Sequence, residues 1–164
     1  GLGRARNLGG AKARGRLLLF LDADTQLDSD ALATIAREFT PNSACGTLRG
    51  KPDCPKLLYR MLYLWKNFLH RASIHQGSSG VIFCWRDQFK EVGGFDVCLQ
   101  VRENSDLIRR LRRLGNYKYV SAAAAVTSMR RYEKRGLSAT WDWLKIWTES
   151  LVTDLRDRSY EVVR

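Results

Sequence analysis

The chain has 164 residues, of which 45% are apolar, so it is long enough for one domain with a real core and is not a disordered chain. Its 28 basic and 17 acidic residues give a net charge of +11, which favours an anionic partner: nucleic acid, membrane phosphate or a phosphorylated small molecule. Four cysteines without zinc-knuckle spacing and only two histidines argue against a structural zinc site.

The first half of the chain alternates helical and strand patterns. A helix is predicted over residues 4–14 with Gly15 at its end, followed by a strand at 17–21. The strand's continuous apolar run, LLLFL, is typical of a strand buried on both faces, as in parallel sheets. A helix over 30–39, a short strand over 44–50 and a long amphipathic helix over 56–72 follow.

The second half continues the alternation. The patterns predict a strand within VIFCW, short helices and turns over 86–96, a helix over 103–114, and strands in YKYV and AAVTS. The alternation predicts an α/β domain over residues 1–136, and the remainder, 137–164, is predicted to be an amphipathic helical tail.

Two carboxylates, Asp22 and Asp24, directly follow the first predicted strand. Ligands of open α/β sheets bind beyond the carboxyl ends of strands, and paired carboxylates supply oxygen ligands for a hard cation. The two like charges need a positive partner, for which we predict Mg²⁺ or Mn²⁺ carrying a nucleotide diphosphate. The alternative is that both aspartates cap turns and face solvent.

A second acidic pair, Glu103 and Asp106, opens a predicted helix. The two residues are three positions apart and can share one helical face. One of them could act as a general base that deprotonates a hydroxyl nucleophile. The alternative is that they only stabilise the positive end of the helix dipole.

Glycine-rich turns and a basic run complete the candidate segments. The turns at 76–80 and 93–96 would let the backbone approach a ligand closely, although turns between core elements look the same. The run Arg130, Arg131, Tyr132 could pair with phosphate oxygens, and the alternative is a solvated basic face.

Four segments in this order resemble the family-2 glycosyltransferases of the GT-A fold. They are ARNLGGAKARGRLLLFLDADT, SSGVIFCWRDQFKEVGGFD, ENSDLIRRLRRLG and VTSMRRYEKRG. The resemblance implies a three-layer sandwich around a mixed, mostly parallel central sheet. It also implies earlier strands that bind the nucleoside base; they are absent here, and the chain starts at Gly1 without Met. Such an N-terminally truncated sheet is expected to expose a long edge.

The resemblance further implies an inverting hexosyltransferase. A sugar would pass from a nucleotide-diphospho-sugar to a hydroxyl or a lipid-linked phosphate, with the metal at Asp22 and Asp24. The residues that match substrate-contacting positions are Arg6, Asn7, Ser79, Gly94, Asp96, Arg130, Arg131 and Tyr132. Asn104 stands where the family has its aspartate base, and a neutral amide cannot accept the proton. Either Glu103 or Asp106 takes that role, or activity is low or lost.

Three alternatives follow from these observations. The loss of the base would leave a glycosyltransferase-like binding domain without catalysis, and charge alone would permit a nucleic-acid binder, although no nucleic-acid motif is present. The tail tryptophans Trp141, Trp143 and Trp147 could contact a membrane, or the tail helix could dock on the core. We predict a cytoplasmic protein with peripheral contact at the inner face of the membrane.

Overall fold

The structure, a computed structural model, describes residues 1–72, 74, 77–99 and 102–135. The predicted tail, 137–164, lies outside the described residues. In chain order the elements are α1 (Leu2–Lys12), β1 (Leu17–Leu21), β2 (Thr25–Leu27), α2 (Ala31–Glu38), β3 (Ser43–Pro52), α3 (Leu57–Arg71), β4 (Val81–Trp85), α4 (Arg86–Glu91), α5 (Glu103–Leu111), β5 (Asn116–Thr127) and α6 (Arg130–Arg135). The predicted α/β class is confirmed.

A mixed five-stranded sheet has the strand order β1-β4-β3-β5-β2. The β3–β5 pair is parallel, whereas β1–β4, β4–β3 and β5–β2 are antiparallel. The prediction of a mostly parallel sheet is therefore wrong for the described strands. It followed from the family resemblance, whereas the direction of each strand depends on how this chain crosses the sheet. The three-layer sandwich stays a prediction.

Strand β1 is less buried than its composition predicts. Leu18 is 3% exposed, but Leu21 is 42% exposed, so the prediction of a strand covered on both faces is wrong. The strand pairs with β4 along one edge and is the terminal strand of the described sheet.

The two strands predicted in YKYV and AAVTS are one strand, β5. Val120 pairs with Leu48 and Ala124 pairs with Arg49, so the three residues between Val120 and Ala124 form a bulge against β3. Bulges bend a strand and increase its local twist without ending it. The small residues of this segment explain why the sequence pattern divides there.

Helix α1 packs closely because of a glycine that weakens it as an isolated helix. A Cβ atom on Gly10 would lie 2.8 Å from Cε1 of Phe89, so only glycine lets α1 approach α4 this closely. The helix ends at Lys12, and Ala13 is already extended, so Gly15 is not its terminator as predicted. This packing fixes α1 beside the end of β1, where the candidate site lies.

The core lies on both faces of the sheet. Side chains of β4 alternate, with Ile82 and Cys84 in one apolar cluster and Val81 and Phe83 in the other, as the two-residue period of a strand requires. Helix α5 covers the first cluster with Leu107, Ile108 and Leu111, and α2 covers the second with Ala31 and Ile35. Both helices are thereby fixed relative to the ends of β1 and β5.

Candidate functional site

Asp22 and Asp24 lie in the tight turn that joins β1 to β2. The backbone N–H of Asp22 donates to the carbonyl of Gly80 over 2.8 Å, and the carbonyl of Asp24 accepts from the N–H of Ser128 over 2.9 Å. Hydrogen bonds from two other segments therefore hold this turn at the rim of the sheet. The structure confirms that the two carboxylates follow the end of a core strand.

Both carboxylates line a cavity of about 280 Å³. Its other walls come from α3, from the turn before β4, from the end of β5 and from α6. The lining residues beyond the two aspartates are Tyr63, Lys66, His70, Ser78, Ser79, Gly80, Thr127, Ser128 and Tyr132. Hydroxyl groups and one lysine therefore face the same space as the aspartates. Such a lining suits an anionic ligand with a bound metal cation.

Lys66 contributes a positive charge to the cavity wall. Its Nζ lies 3.2 Å from the hydroxyl of Tyr132 and within 5.3 Å and 5.6 Å of the ring centres of Tyr63 and Tyr132. Burial raises the pKa of Tyr63 to about 12, so this hydroxyl stays protonated at neutral pH and can donate a hydrogen bond. The wall thus offers neutral donors beside a cation.

Arg6 of α1 joins the rim of the sheet to the start of α5. Its Nη2 lies 2.6 Å from Oδ1 of Asp22, and its Nη1 donates to Oε1 of Glu103 over 2.9 Å and to Oδ1 of Asn104 over 2.8 Å. The guanidinium also lies 5.2 Å from the ring centre of Phe95. We call Arg6, Asp22, Glu103 and Asn104 the Arg6 cluster.

The Arg6 cluster is largely enclosed, since the side chains of Arg6 and Glu103 are 11% and 8% exposed. Burial raises the pKa of Asp22 above its usual value, the repulsion of Asp24 acts in the same direction, and Arg6 only partly offsets both. Asp22 and Glu103 thus share one arginine, and Asp24 adds a third negative charge beside them. The local excess of negative charge would be relieved by a further cation.

Asp106 faces a different set of partners. Arg109 Nη2 and Arg110 Nε each donate to its carboxylate over 2.8 Å, and Arg110 Nη1 donates to the carbonyls of Val92 and Gly94. Burial alone would raise the pKa of Asp106, but the hydrogen bonds from the two arginines outweigh it and hold the pKa below its usual value. The structure therefore places Asp106 in a brace between α5 and the preceding loop, and Asp106 does not line the cavity.

Asn7, Gly94 and Asp96 hold the loop that precedes α5. Asn7 Nδ2 donates to the carbonyl of Phe95, and its Oδ1 accepts from the Phe95 N–H, both over 2.8 Å. Gly94 has a φ of +70°, and a Cβ there would lie 2.6 Å from Oδ1 of Asn7. Asp96 accepts from the N–H of Cys98. These contacts are structural, and the three residues do not line the cavity.

Of the other predicted residues, Ser79 and Tyr132 line the cavity, and Arg130 is exposed at the start of α6. The side chain of Arg131 lies outside the part of the structure that is described. The sequence analysis missed Tyr63, Lys66 and His70. Their positions repeat at intervals of three and four residues, which places them on one side of α3, but the sequence does not show that this side faces Asp22 and Asp24.

Gly80 is another residue whose role only the structure reveals. Its φ is +85°, and a Cβ there would collide with Oγ1 of Thr25. Its carbonyl accepts the N–H of Asp22, so this glycine allows the turn before β4 to support the Asp22–Asp24 turn.

No group of three or more His, Cys, Asp or Glu side chains that could hold a metal ion by itself occurs within the described ranges. Likewise, none of the helices described is both long and apolar enough to cross a membrane. At Asp22 and Asp24 the available donors are two carboxylates and nearby hydroxyls. This all-oxygen set fits a cation such as Mg²⁺, which commonly binds to one or two carboxylates and completes its coordination with substrate phosphates and water.

Comparison with known families agrees with the resemblance drawn from the sequence. The family model described as "Glycosyl transferase family 2" matches residues 1–92, which include α1, the Asp22–Asp24 turn, α3 and β4. None of the curated proteins compared with the chain matches it. Since the match extends over more than half of the 164 residues, the chain belongs to glycosyl transferase family 2.

Proposed function

We propose that this chain carries out a metal-dependent, inverting transfer of a hexosyl group from a nucleotide-diphospho-sugar to a hydroxyl or phosphate acceptor. The observation that carries this proposal is the pair Asp22 and Asp24 at the rim of the sheet, open to a cavity that Lys66 also lines. A diphosphate could lie between a cation held by the two carboxylates and the ammonium group of Lys66. Its negative charge would then be balanced from both sides.

Asp22 and Asp24 are the residues that would hold Mg²⁺ or Mn²⁺. When bound, the ion would supply Lewis-acid stabilisation of the diphosphate as a leaving group. Asp22 is already held on one oxygen by Arg6, which fixes its orientation and leaves its other oxygen for a second partner. Asp24 is exposed and lies on the cavity side, so it is the more accessible of the two.

The remaining cavity groups would bind and orient the donor. Lys66 would form a charge-assisted hydrogen bond to a phosphate oxygen, and the hydroxyls of Ser78, Ser79 and Thr127 can donate to further oxygens. The predicted role of Arg130, Arg131 and Tyr132 in contacting diphosphate or acceptor remains part of this proposal. Tyr132 supports it, because its hydroxyl meets Lys66 at the cavity wall.

Glu103 is the stronger candidate for the general base. Its carboxylate lies in the Arg6 cluster, one guanidinium away from Asp22, whereas the carboxylate of Asp106 is occupied by two arginines. We therefore assign proton acceptance to Glu103 and bracing to Asp106. Asn104 can orient groups through its amide but cannot accept the proton at neutral pH.

A glycosyltransferase-like binding domain without catalysis is the second candidate function. Two observations favour it: Asn104 replaces the expected base, and Arg6 already occupies the neighbouring Glu103. Both candidates require nucleotide and metal to bind at Asp22 and Asp24. They differ only in turnover.

Calorimetric titration of UDP and GDP, each with and without Mn²⁺, tests the proposal. We expect metal-dependent heat for the natural chain and a loss of at least about tenfold in affinity for Asp24→Asn, because a charged metal ligand becomes neutral. Asp87→Asn is the matched control, since the Asp87 side chain is 92% exposed on α4 and does not line the cavity. Absence of metal-dependent heat with either nucleotide would overturn the metal-dependent transfer.

A further inference from the structure

Helix α3 has an outer face of large apolar side chains that point to solvent. Its members are each more than half exposed: Leu57, Leu58, Met61, Leu64, Trp65 and Phe68. At 3.6 residues per turn these positions fall within an arc of about 120° of the helix circumference. The buried residues Tyr59, Tyr63 and His70 lie on the opposite side of α3. We call the six exposed residues the outer face of α3.

This arrangement differs from that of an ordinary surface helix, which turns its apolar face to the core. Scattered exposed leucines are common in soluble proteins, but a continuous apolar face usually marks an interaction site. The rings of Trp65 and Phe68 stack on each other with centres 5.8 Å apart and both remain more than half exposed. Ile74, just beyond the helix, is 63% exposed and extends the same apolar character.

The charged residues of α3 itself are all positive. The sequence contains no acidic residue between Asp53 and Asp87. Within that interval Arg60 and Arg71 are exposed, and helical spacing places both beside Leu64 at one border of the apolar arc. Lys56, at the start of α3, is also exposed but pairs with Glu133 of α6 over 2.9 Å. An apolar strip bordered on one side by two exposed arginines is complementary to an anionic, amphipathic surface.

We propose that the outer face of α3 binds the surface of a membrane that contains anionic lipid. Helix α3 would lie in the interface, with its leucines and Phe68 among the acyl chains, Trp65 near the boundary, and Arg60 and Arg71 at the phosphates. A second copy of this chain is a poorer occupant, because two surfaces of the same positive charge repel each other. The binding surface is therefore within the catalytic domain, apart from the predicted tail.

The same helix provides a wall of the cavity through Tyr63, Lys66 and His70. Membrane docking would thus hold the cavity within one helix diameter, about 10–12 Å, of the lipid headgroups. If the proposed transferase function holds, on which this step rests, the acceptor is a lipid-linked phosphate or glycan rather than a freely diffusing sugar.

Flotation with lipid vesicles tests the membrane proposal without any nucleotide, so its outcome is independent of the proposed function. The full chain is mixed with vesicles of phosphatidylglycerol and phosphatidylcholine in equal parts, or of phosphatidylcholine alone. The variants are Leu64→Glu on the outer face of α3 and Leu32→Glu on α2. These two leucines are 68% and 64% exposed, so the variants match in residue type, exposure and charge change.

We expect the natural chain and Leu32→Glu to float with the anionic vesicles. Partitioning of Leu64→Glu should fall by at least about tenfold, because removal of one buried leucine shifts an equilibrium by that factor or more. Neutral vesicles should capture less protein, and the thermal unfolding midpoint of Leu64→Glu should equal that of Leu32→Glu. Trp65→Glu provides a second variant of the same face with the same expected loss.

Three results would overturn the proposal. The first is failure of the natural chain to bind anionic vesicles. The second is equal vesicle binding by Leu64→Glu and Leu32→Glu, which would assign binding to another surface. The third is a lower unfolding midpoint or a change from dimer to monomer in Leu64→Glu with vesicle binding unchanged, which would show that protein covers this face.

Discussion

The Arg6 cluster and the cavity next to it share Asp22 but differ in how their charges are balanced. In the Arg6 cluster the carboxylates of Asp22 and Glu103 contact one guanidinium, and the cluster is largely buried. In the cavity, Asp24 is exposed, and Lys66 lies against the hydroxyl of Tyr132 and the ring of Tyr63. We therefore propose that the first region secures the fold and that the second receives the ligand.

The largest effect is expected at the boundary between the two regions. Asn104→Asp restores a carboxylate at the position that the family resemblance assigns to the base, and turnover of a nucleotide-sugar should rise by about 10²–10⁴-fold. Release of nucleotide diphosphate in the presence of Mn²⁺ measures this gain. Asn116→Asp, an exposed change at the start of β5, is the control. A rate unchanged by Asn104→Asp would mean that the missing base is not what limits this chain.

The helices that carry the two regions should respond differently to loss of a leucine. Leu107 of α5 is 0% exposed, so Leu107→Ala should lower the free energy of unfolding by about 2–5 kcal/mol through lost burial and a residual cavity. Leu64 of α3 is 68% exposed, and Leu64→Ala should change the free energy of unfolding by less than about 0.5 kcal/mol. Urea unfolding measures both. Similar losses in the two variants would contradict the described exposure of α3.

Removal of the central cation of each region should separate stability from binding. Arg6→Met leaves Asp22 and Glu103 without their shared partner and should lower the free energy of unfolding by about 2–3 kcal/mol. Lys66→Met loses a hydrogen bond to Tyr132 and two cation–π contacts, and should cost about 1 kcal/mol. Its main effect should be a fall of about tenfold in nucleotide affinity with Mn²⁺. If Lys66→Met were more destabilising than Arg6→Met, the distinction between a stabilising Arg6 cluster and a ligand-binding cavity would be refuted.

The smallest effect concerns the brace at Asp106. Its pKa is lowered in the folded state, so its contribution to stability is present above the unfolded value, near 3.8, and is lost as the pH falls through the lower folded value. The difference in unfolding free energy between the natural chain and Asp106→Asn should be at most about 1 kcal/mol at neutral pH and should shrink below pH 3.8. A difference that is constant between neutral and acid pH would exclude the brace.

Sequence patterns located most elements because apolar periodicity reports burial directly. The helix predicted over 56–72 is α3, Leu57–Arg71, and the strand predicted at 17–21 is β1. The helix predicted to reach Leu114 ends at Leu111, because tighter turns already begin there, as in the bond from the Leu114 N–H to the Leu111 carbonyl. Strand β2 was missed because three residues carry too short a pattern.

Candidate site residues could be predicted from the sequence only where the signal lies in neighbouring residues of the chain. Asp22 and Asp24 could be identified because a charge pair directly after an apolar strand is a local signal. Lys66 could not be identified as a cavity residue, because its proximity to Asp22 and Asp24 depends on how α3 crosses the sheet. The resemblance implied that Asn7 and Gly94 contact substrate, whereas in the structure Asn7 bonds to Phe95 and a Cβ at Gly94 would lie against the Asn7 side chain.

The sequence by itself determined the family, the α/β class, the carboxylate pair at the end of β1 and the amphipathic character of α3 and α5. These features depend on residues close together in the chain. Only the tertiary structure decided that Arg6 joins residues 22 and 103, that most strand pairs are antiparallel, and that α5 buries its apolar face while α3 exposes one. Periodicity specifies that a helix has an apolar face, but whether anything covers that face depends on contacts between distant segments.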